Sequence, residues 1–238
     1  MPAHAPDRLL IATRNAHKLR EFGALFAEAL PAIEISNLGD WSTPLPQVVE
    51  DAPTFEGNAL KKALEMSQAA GVSVMAEDSG LAVDALDGAP GVRSARYSGE
   101  EATTQANNAK LAGALQALGD GPHTARFVSV IALALCPDAL GTHLLEAMRL
   151  SWEALPHGRP TQPGMPHVFE GRALMWVRGE LQGHVRAHAE GTHGFGYDPH
   201  FFVPSHGMTL AQMTMEQKNA LSHRGDALNR LRQALNMT

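Results

Sequence analysis

The sequence has one cysteine, no long apolar run and no excess of positive charge. Cys136 is the only cysteine among 238 residues, so no disulfide can form within the chain. It follows an apolar stretch, where a buried and unreactive thiol is expected. No stretch approaches the roughly 20 apolar residues of a membrane span, and Met1 to Arg8 lacks the basic-then-apolar order of a signal peptide. We therefore expect a protein of the reduced cytoplasm with no membrane partner.

The charge balance bears on the partners of the protein. The chain carries 19 lysine and arginine residues against 25 aspartate and glutamate residues, a net charge of −6. Sequence-independent binding of DNA or RNA needs a basic face that neutralises phosphates, so no nucleic-acid partner is expected. A small phosphorylated ligand remains compatible with this charge, because a few local cations and one metal ion are enough to bind it.

Apolar residues recur at helical spacing in some segments and in short runs or alternation in others, and 44% of the residues are hydrophobic. This pattern predicts a mixed α/β fold. The predicted helices cover about Lys18–Leu30, Thr54–Ala70 with Thr54 as N-cap, Thr103–Leu118 and Arg224–Asn236. The predicted strands cover Arg8–Ala12, Val72–Ala76, Phe127–Leu135 and Val168–Val177.

Two segments of the second half complete the pattern. His143–Trp152 is interpreted as a strand that forms a hairpin with the strand before it. Leu155–His167 holds four prolines and two glycines, so it is predicted to be a loop. Because no clean linker separates two regions, we expect one domain of residues 1–238, with two lobes as an open alternative.

A candidate anion site joins the first predicted strand to the first predicted helix. It consists of six residues: Thr13, Arg14, Asn15, Ala16, His17 and Lys18. A strand that leads into a helix presents free backbone N–H groups, and the helix dipole adds partial positive charge there. Asn15 and Lys18 could add a side-chain donor and a full cation. The alternative is a capped helix with a solvated lysine.

A candidate metal or base site follows the strand predicted to end at Ala76. Glu77 and Asp78 are adjacent carboxylates, followed by Ser79 and Gly80. Such a pair can hold a hard cation, or one carboxylate can act as a base beside a metal ion. A plain acidic turn is the alternative.

The most unusual hexapeptide runs from Gly194 to Pro199. Its glycines, among them Gly196, free the backbone. Phe195 offers a flat face to a base, and Asp198 can accept hydrogen bonds from ring N–H groups. Tyr197 makes the hexapeptide rich in aromatic residues, and an aromatic tight turn with a structural role remains equally compatible.

The last candidate segment, Lys218 to Arg224, precedes the final helix. Ser222 is a good N-cap residue. His223 and Arg224 then occupy the first helical turn, where the dipole disfavours cations. A position that local physics disfavours is weak evidence for a ligand role.

These stretches, in this order, resemble the inosine triphosphate pyrophosphatase (Ham1-like) family over about Arg8 to Leu235. Thr13 to Lys18 fits the opening Ser/Thr-x-Asn-x-x-Lys, and Glu77 to Leu81 fits the acidic-Asp-Ser-Gly-Leu segment. Four further segments fit the rest of the pattern in register: Gly88–Gly91, Ser94–Gly99, Gly194–Pro199 and Ser222–Arg224. Each motif is modest alone, but their combination is highly specific.

The resemblance implies an elongated α/β protein with a long central mixed sheet, flanking helices and a cleft between two lobes. It implies Mg²⁺-dependent hydrolysis of non-standard purine nucleoside triphosphates (ITP, dITP and XTP) to the monophosphate and pyrophosphate, by a homodimer. Asp78 is then the general base and a metal-linked carboxylate. Thr13 to Lys18, Ser79 and Lys218 then hold the phosphates, and Phe195 to Asp198 enclose the purine with His223 and Arg224.

The chain departs from the family pattern at two places. The family carries a metal-binding glutamate before the asparagine of its second helix, where this chain has Gly57. Either Glu77 or Glu56 is expected to take that role. Leu155–His167 also looks like an insertion. Two other functions remain open: a pyrophosphatase for modified pyrimidine nucleotides, and a nucleotide-binding regulator without activity.

Overall fold

The computed structural model describes residues 8–13, 18–20, 22–23, 34–41, 44–119 and 121–236, apart from the side chain of Asn219. The chain divides into two compact units. Unit 1 comprises Met1–Asp78, Val130–Arg178 and Ala227–Thr238, and unit 2 comprises Ser79–Ser129 and Gly179–Asp226. Within the described part of the chain, no helix is long and apolar enough to cross a membrane.

The described residues form one mixed eight-stranded sheet, as the α/β pattern predicts. Its strands are β1 (Arg8–Ile11), β2 (Glu34–Asn37), β3 (Ser73–Val83), β4 (His123–Leu135), β5 (His167–Phe169), β6 (Arg172–Val185), β7 (Phe201–Val203) and β8 (Met208–Thr209). Their order is β2-β1-β3-β4-β6-β7-β8, and β5 pairs with β6. β1 is parallel to β2 and β3, whereas the β6–β7 and β7–β8 pairs are antiparallel.

Helices flank this sheet. In the described ranges they are α1 (Phe55–Ala70), α2 (Thr104–Leu118), α3 (Ala139–Ala147), α4 (Met215–Leu221) and α5 (His223–Ala234). Residues 18–20 and 22–23 are also helical, as predicted for the first helix, and the rest of that prediction lies outside the described residues.

The ends of α1 are set by local chemistry, as the sequence predicts. The Thr54 side chain accepts a hydrogen bond from the Gly57 N–H at 3.0 Å, which satisfies one of the free donors of the first turn. Gly71 ends the helix in the left-handed conformation at φ 71°, which glycine adopts without a Cβ penalty. The helix predicted at Thr103–Leu118 is confirmed as α2, in which Thr103 is the N-cap and Thr104 the first helical residue.

Strand β3 differs from the prediction. The sequence predicts that the strand stops at Ala76 and that Glu77 to Gly80 turn away from it. Instead, Glu77 to Gly80 continue the strand as far as Val83. The reason is burial further along, since Leu81 and Val83 are fully buried and extend the sheet beyond the polar residues. Both carboxylates therefore lie inside a strand.

The predicted hairpin at His143–Trp152 is wrong, because Ala139–Ala147 is helix α3. Leu140 and Leu144 are buried one helical turn apart, and the Asp138 side chain caps the helix by accepting from the Gly141 N–H at 2.8 Å. Residues 155–166 form the predicted loop, which ends where β5 begins at His167. Strand β4 is found where predicted and begins earlier, at His123. The strand predicted at Val168–Val177 is interrupted by a turn at Glu170 and Gly171, which divides it into β5 and the start of β6.

Each unit has its own apolar core. The core of unit 1 contains Leu9, Ile11, Met75, Ile131, Leu133, Leu140, Leu144, Leu228 and Leu231. The core of unit 2 contains Leu81, Val83, Leu111, Leu115, Phe127, Phe201 and Leu210. Burial of these side chains fixes the strands that carry the polar residues described next.

Candidate active site

Among the described carboxylates of unit 1, Asp78 has the largest pKa shift. It is 7% exposed, and Asn58 Nδ2 donates a hydrogen bond to its Oδ2 at 3.0 Å. Asn58 is itself fully buried on α1, and its Oδ1 accepts from the Ala52 N–H at 2.9 Å. Asn58 is thus held from both ends of its amide, so its donor faces the Asp78 carboxylate.

Burial raises the pKa of Asp78 to about 6, because a charged carboxylate loses hydration there. The positive charge of Lys62 and the hydrogen bond from Asn58 oppose this rise, and the negative charge of Glu50 adds to it. An aspartate with this pKa is mostly ionised at pH 7, yet it binds a proton more readily than an exposed one. That is the behaviour required of a general base.

Glu77 has different partners, as expected for a neighbour along a strand, where successive side chains point to opposite faces. Its carboxylate forms an ion pair with Lys18 at 2.6 Å, with only 1% of the Glu77 side chain exposed. Lys62 Nζ donates to the Glu77 backbone oxygen at 3.2 Å and also pairs with Glu50. Glu77 thus belongs to an alternating set of carboxylates and ammonium groups.

A cavity of about 290 Å³ opens onto this set. Six polar side chains line it: Thr13, Lys18, Gln47, Glu50, Lys62 and Glu77. Polar groups of both signs around one cavity suit a ligand that carries phosphates and a cation. The predicted residues Thr13, Lys18 and Glu77 are therefore brought together, whereas Arg14, Asn15, Ala16 and His17 lie outside the described residues.

The sequence interpretation missed Glu50, Asn58 and Lys62. Asn58 and Lys62 are four residues apart on α1, so they lie on one face of the helix. That spacing was the available signal for them. Glu50 lies in a segment without regular structure, and no local pattern marks it.

Glu56, the other carboxylate suggested for the metal role, forms an ion pair with Arg178 at 2.7 Å. At the position of the family glutamate, a Cβ on Gly57 would lie 2.7 Å from the Cβ of Ala52. The backbone there has no room for a longer side chain without rearrangement. The carboxylates that line the cavity are instead Glu50 and Glu77.

These residues suit a magnesium ion that is bound partly by protein carboxylates and partly by the phosphate oxygens of a substrate. Among the described residues, no three His, Cys, Asp or Glu side chains form a ready-made metal cluster. Mg²⁺ typically binds through one or two carboxylates plus phosphate oxygens and waters, so such a cluster is not required. Glu50 and Glu77 at the cavity, with Asp78 on the same strand as Glu77, offer the donor chemistry that this ion prefers.

Unit 2 carries a second group of predicted residues around the turn from Gly194 to Asp198. Asp198 Oδ2 accepts from the Phe195 N–H at 2.9 Å, which closes the turn, and it forms an ion pair with Lys218 Nζ at 2.5 Å. Gly194 has φ 86°, a conformation that strains any residue with a Cβ, and a Cβ there would also clash with the Asp198 carboxylate. Asp198 is 5% exposed, so its ion pair is largely desolvated.

Phe195 is 52% exposed, and two cations lie near its ring. Lys218 Nζ is 5.5 Å and the Arg224 guanidinium is 5.6 Å from the ring centroid. Arg224 is only 7% exposed, although arginine is usually solvated. An exposed aromatic face beside two cations suits a flat ligand that carries hydrogen-bond acceptors.

The remaining predicted residues of unit 2 lie around this group. His223 stacks on Phe127 with ring centroids 5.2 Å apart. Tyr197 is buried, its hydroxyl donates to the Ser94 backbone oxygen at 2.7 Å, and burial raises its pKa. Its position favours support of the turn over direct ligand contact. Ser79 is half-buried on β3.

The cap of α5 is also as predicted. Ser222 Oγ accepts from the Gly225 N–H at 2.9 Å. This bond places His223 and Arg224 in the first turn, where a cation gains nothing from the helix dipole. Their position is therefore set by other contacts, such as those with Phe127 and Phe195.

Comparisons with known proteins identify the family of this chain. The model of the Ham1 family matches residues 9–147 and 165–234, which leaves 148–164 unmatched. The dITP/XTP pyrophosphatase of Geobacter sulfurreducens is 43% identical over 228 residues, 96% of each chain. The dITP/XTP pyrophosphatase of Exiguobacterium sibiricum is 39% identical over 231 residues, again 96% of each chain.

Solved structures give the same result. A HAM1 protein from Coxiella burnetii is 32% identical, with a TM-score of 0.76 over 97% of this chain and 99% of its own. The Staphylococcus aureus Ham1 protein is 30% identical, with a TM-score of 0.70 over 96% and 98%. With the family match over most of its length and relatives well above 30% identity along nearly the whole chain, the protein belongs to the Ham1 family.

Proposed function

We propose that the protein hydrolyses the non-standard purine nucleoside triphosphates dITP, ITP and XTP to the monophosphate and pyrophosphate. The observation that carries this proposal is Asp78, a buried carboxylate with a pKa of about 6, held by Asn58 among the lysines and carboxylates of unit 1. The relatives are named dITP/XTP pyrophosphatases, and this activity supports the proposal.

The cavity of unit 1 is proposed to take the triphosphate. Lys18 and Lys62 supply positive charge to the phosphate oxygens, and Thr13 supplies a hydroxyl donor. One or two of the carboxylates Glu50, Glu77 and Asp78 would hold Mg²⁺, together with phosphate oxygens of the substrate. When bound, the ion offsets the negative charge that builds on the phosphate oxygens.

Asp78 is proposed to take the proton from the attacking water. Above pH 6 its carboxylate is ionised and can accept that proton, and the Asn58 amide holds it in place. Lys62 stabilises the negative charge of Asp78 before the transfer. Because Asp78 regains a proton more easily than an exposed aspartate does, the transfer costs less than it would in water.

The second group, in unit 2, is proposed to bind the base. Phe195 stacks on the purine ring, and Arg224 donates a hydrogen bond to the 6-oxo group. Adenine carries an amino group at that position, which is itself a donor, so the arginine N–H would be left without an acceptor. A buried donor without an acceptor is costly, and this cost disfavours ATP.

The direct test is product analysis with dITP, XTP and Mg²⁺ by phosphorus NMR. We expect one pyrophosphate per monophosphate and no free orthophosphate. Release of orthophosphate with a diphosphate would contradict the proposal, because it places the cut at the outer anhydride. Turnover of modified pyrimidine triphosphates alone would favour the pyrimidine alternative. Absence of turnover with every nucleotide would favour a regulator.

We also propose that residues 1–238 form one domain, with the loop at 155–167 as an insertion, and that the protein works in the cytoplasm as a homodimer. The unmatched segment 148–164 of the family comparison supports the insertion. Sedimentation equilibrium of the full chain measures the oligomeric state directly. We expect twice the chain mass of 25.4 kDa, and the chain mass itself would contradict the dimer.

A further inference from the structure

The turn that carries Phe195 is held by a hydrogen bond from a residue outside the turn. Asn108, on α2, donates a hydrogen bond from Nδ2 to the Gly196 backbone oxygen at 3.0 Å. Gly196 has φ 60°, so it turns the chain directly after Phe195. The Asn108 amide therefore restrains the peptide unit that follows the aromatic ring.

Two other supports of the turn are built differently. The Asp198 carboxylate closes the turn from within by accepting from the Phe195 N–H. The Tyr197 hydroxyl anchors the turn to the Ser94 backbone. Asn108 acts on the segment between these anchors, at Gly196, where the chain has the most conformational freedom.

The adjacent Asn107 shows what a purely structural asparagine looks like here. Its Oδ1 accepts from the Ser98 N–H at 2.7 Å, and its Nδ2 donates to the Ala95 oxygen at 3.1 Å. Both ends of its amide are thus satisfied. Asn108 differs, because its buried Oδ1 has no partner among the described residues.

An unpaired buried acceptor is unfavourable for stability, so packing alone does not explain an asparagine at this position. The useful part of Asn108 is its donor. A side chain that gains little stability from its position but holds the turn beside Phe195 is expected to act through that turn.

We propose that Asn108 is a positioning residue that sets base recognition: its amide holds Gly196 so that the Phe195 ring is presented to the purine. This inference rests on the proposed function of the unit 2 group. Asn108 and the turn that it holds both belong to unit 2, and its hydrogen bond is made to Gly196 of that turn. Its loss therefore weakens ligands that carry a base and leaves ligands without one unaffected.

Asn108→Leu separates this role from structural support. Leucine has a similar size, removes the donor and also removes the unpaired acceptor. We expect the melting temperature to stay equal or rise. The affinity for inosine monophosphate, measured by titration calorimetry, should fall about tenfold, as expected when an oriented hydrogen bond is lost. The affinity for inorganic pyrophosphate, which has no base, should change less than about twofold.

Gln105→Leu, an exposed position on the same helix, is the matched control and should leave both affinities unchanged. Asn108→Gln keeps an amide donor and should recover part of the affinity for inosine monophosphate. Equal affinities in wild type and Asn108→Leu would overturn the inference and leave the proposed function intact. A parallel loss of both affinities would also overturn it, because it indicates general damage. Failure of the wild type to cleave dITP would count against the proposed function itself.

Discussion

Asp78 must be ionised to act as the proposed base, and ionisation of this buried carboxylate lowers the stability of the folded protein. Its pKa is about 6 in the folded chain and about 4 in an unfolded one. Below pH 4 the residue is protonated in both states, and the folded protein has the full stability that a neutral, buried Asp78 allows. As the pH rises from 4 to 6 the unfolded chain loses the proton first, so part of this stability is lost. The free energy of unfolding falls by roughly 3 kcal/mol in total over this pH range because of Asp78.

Asp78→Asn should therefore raise the free energy of unfolding relative to wild type at pH 8, by up to about 3 kcal/mol, and have little effect near pH 4. The same change should lower kcat by at least about 100-fold, because the base is gone. Urea unfolding at both pH values, in a chelator, measures the first effect. A difference that is independent of pH would show that burial does not penalise the charged carboxylate.

Arg224 is the residue proposed to read the 6-position of the base. Arg224→Ala should reduce kcat/KM for ITP more than for ATP, so that the ratio of the two falls roughly tenfold to a hundredfold. Arg230→Ala, an exposed position on the same helix, is the control. If both substrates lose efficiency equally, Arg224 contacts phosphate or supports the fold, and discrimination depends on Phe195 to Asp198.

Three glutamates test which carboxylates hold the metal ion. Glu50 and Glu77 line the cavity, whereas Glu56 is paired with Arg178. Glu50→Gln and Glu77→Gln should each raise the Mg²⁺ concentration for half-maximal activity by roughly tenfold or more. Glu56→Gln serves as the control and should change it little. A larger effect for Glu56→Gln would place that carboxylate at the metal ion instead.

At the scale of elements, α1 carries both Asn58 and Lys62, and its first turn is tightly packed. Alanine usually stabilises a helix relative to glycine by up to about 1 kcal/mol. At Gly57 the added Cβ would lie 2.7 Å from that of Ala52, so Gly57→Ala should destabilise the protein. Gly113→Ala in α2, where nothing lies within 4 Å, should instead stabilise it by about 0.5–1 kcal/mol. Stabilisation of similar size at both sites would mean that the first turn of α1 rearranges easily.

The elements that the sequence predicts correctly are those whose signals are local. Thr54 and Gly71 mark the ends of α1 through their own hydrogen bond and backbone conformation, and both are visible in the sequence. Strand β3 was predicted too short because Glu77 to Gly80 have the composition of a turn. Only pairing in the sheet and burial of Leu81 and Val83 keep them extended, and neither is a local property.

At the scale of the whole molecule, the residues of the candidate sites divide into those that the sequence predicts and those that it misses. Thr13, Lys18, Glu77 and Asp78 were found because each belongs to a short motif with its own chemistry. Asn58 and Lys62 lie on a helix, and they become part of the site only through contacts with β3. Glu50 and Asn108 have no motif, so only three-dimensional contacts reveal them. The roles of these residues remain predictions, and the variants above test those of Glu50, Glu77, Asp78 and Asn108.

The central claim is that the enzyme hydrolyses non-standard purine triphosphates that carry a 6-oxo group, such as dITP and XTP, and releases pyrophosphate from them. The most direct measurement is kcat/KM for pyrophosphate release with Mg²⁺, compared across dITP, XTP, dATP and dTTP. We predict that dITP and XTP are favoured over dATP by roughly a hundredfold, the factor expected when a buried charged donor loses its acceptor, and that they are also favoured over dTTP. Similar efficiencies for all four nucleotides, or a preference for dTTP, would contradict the account.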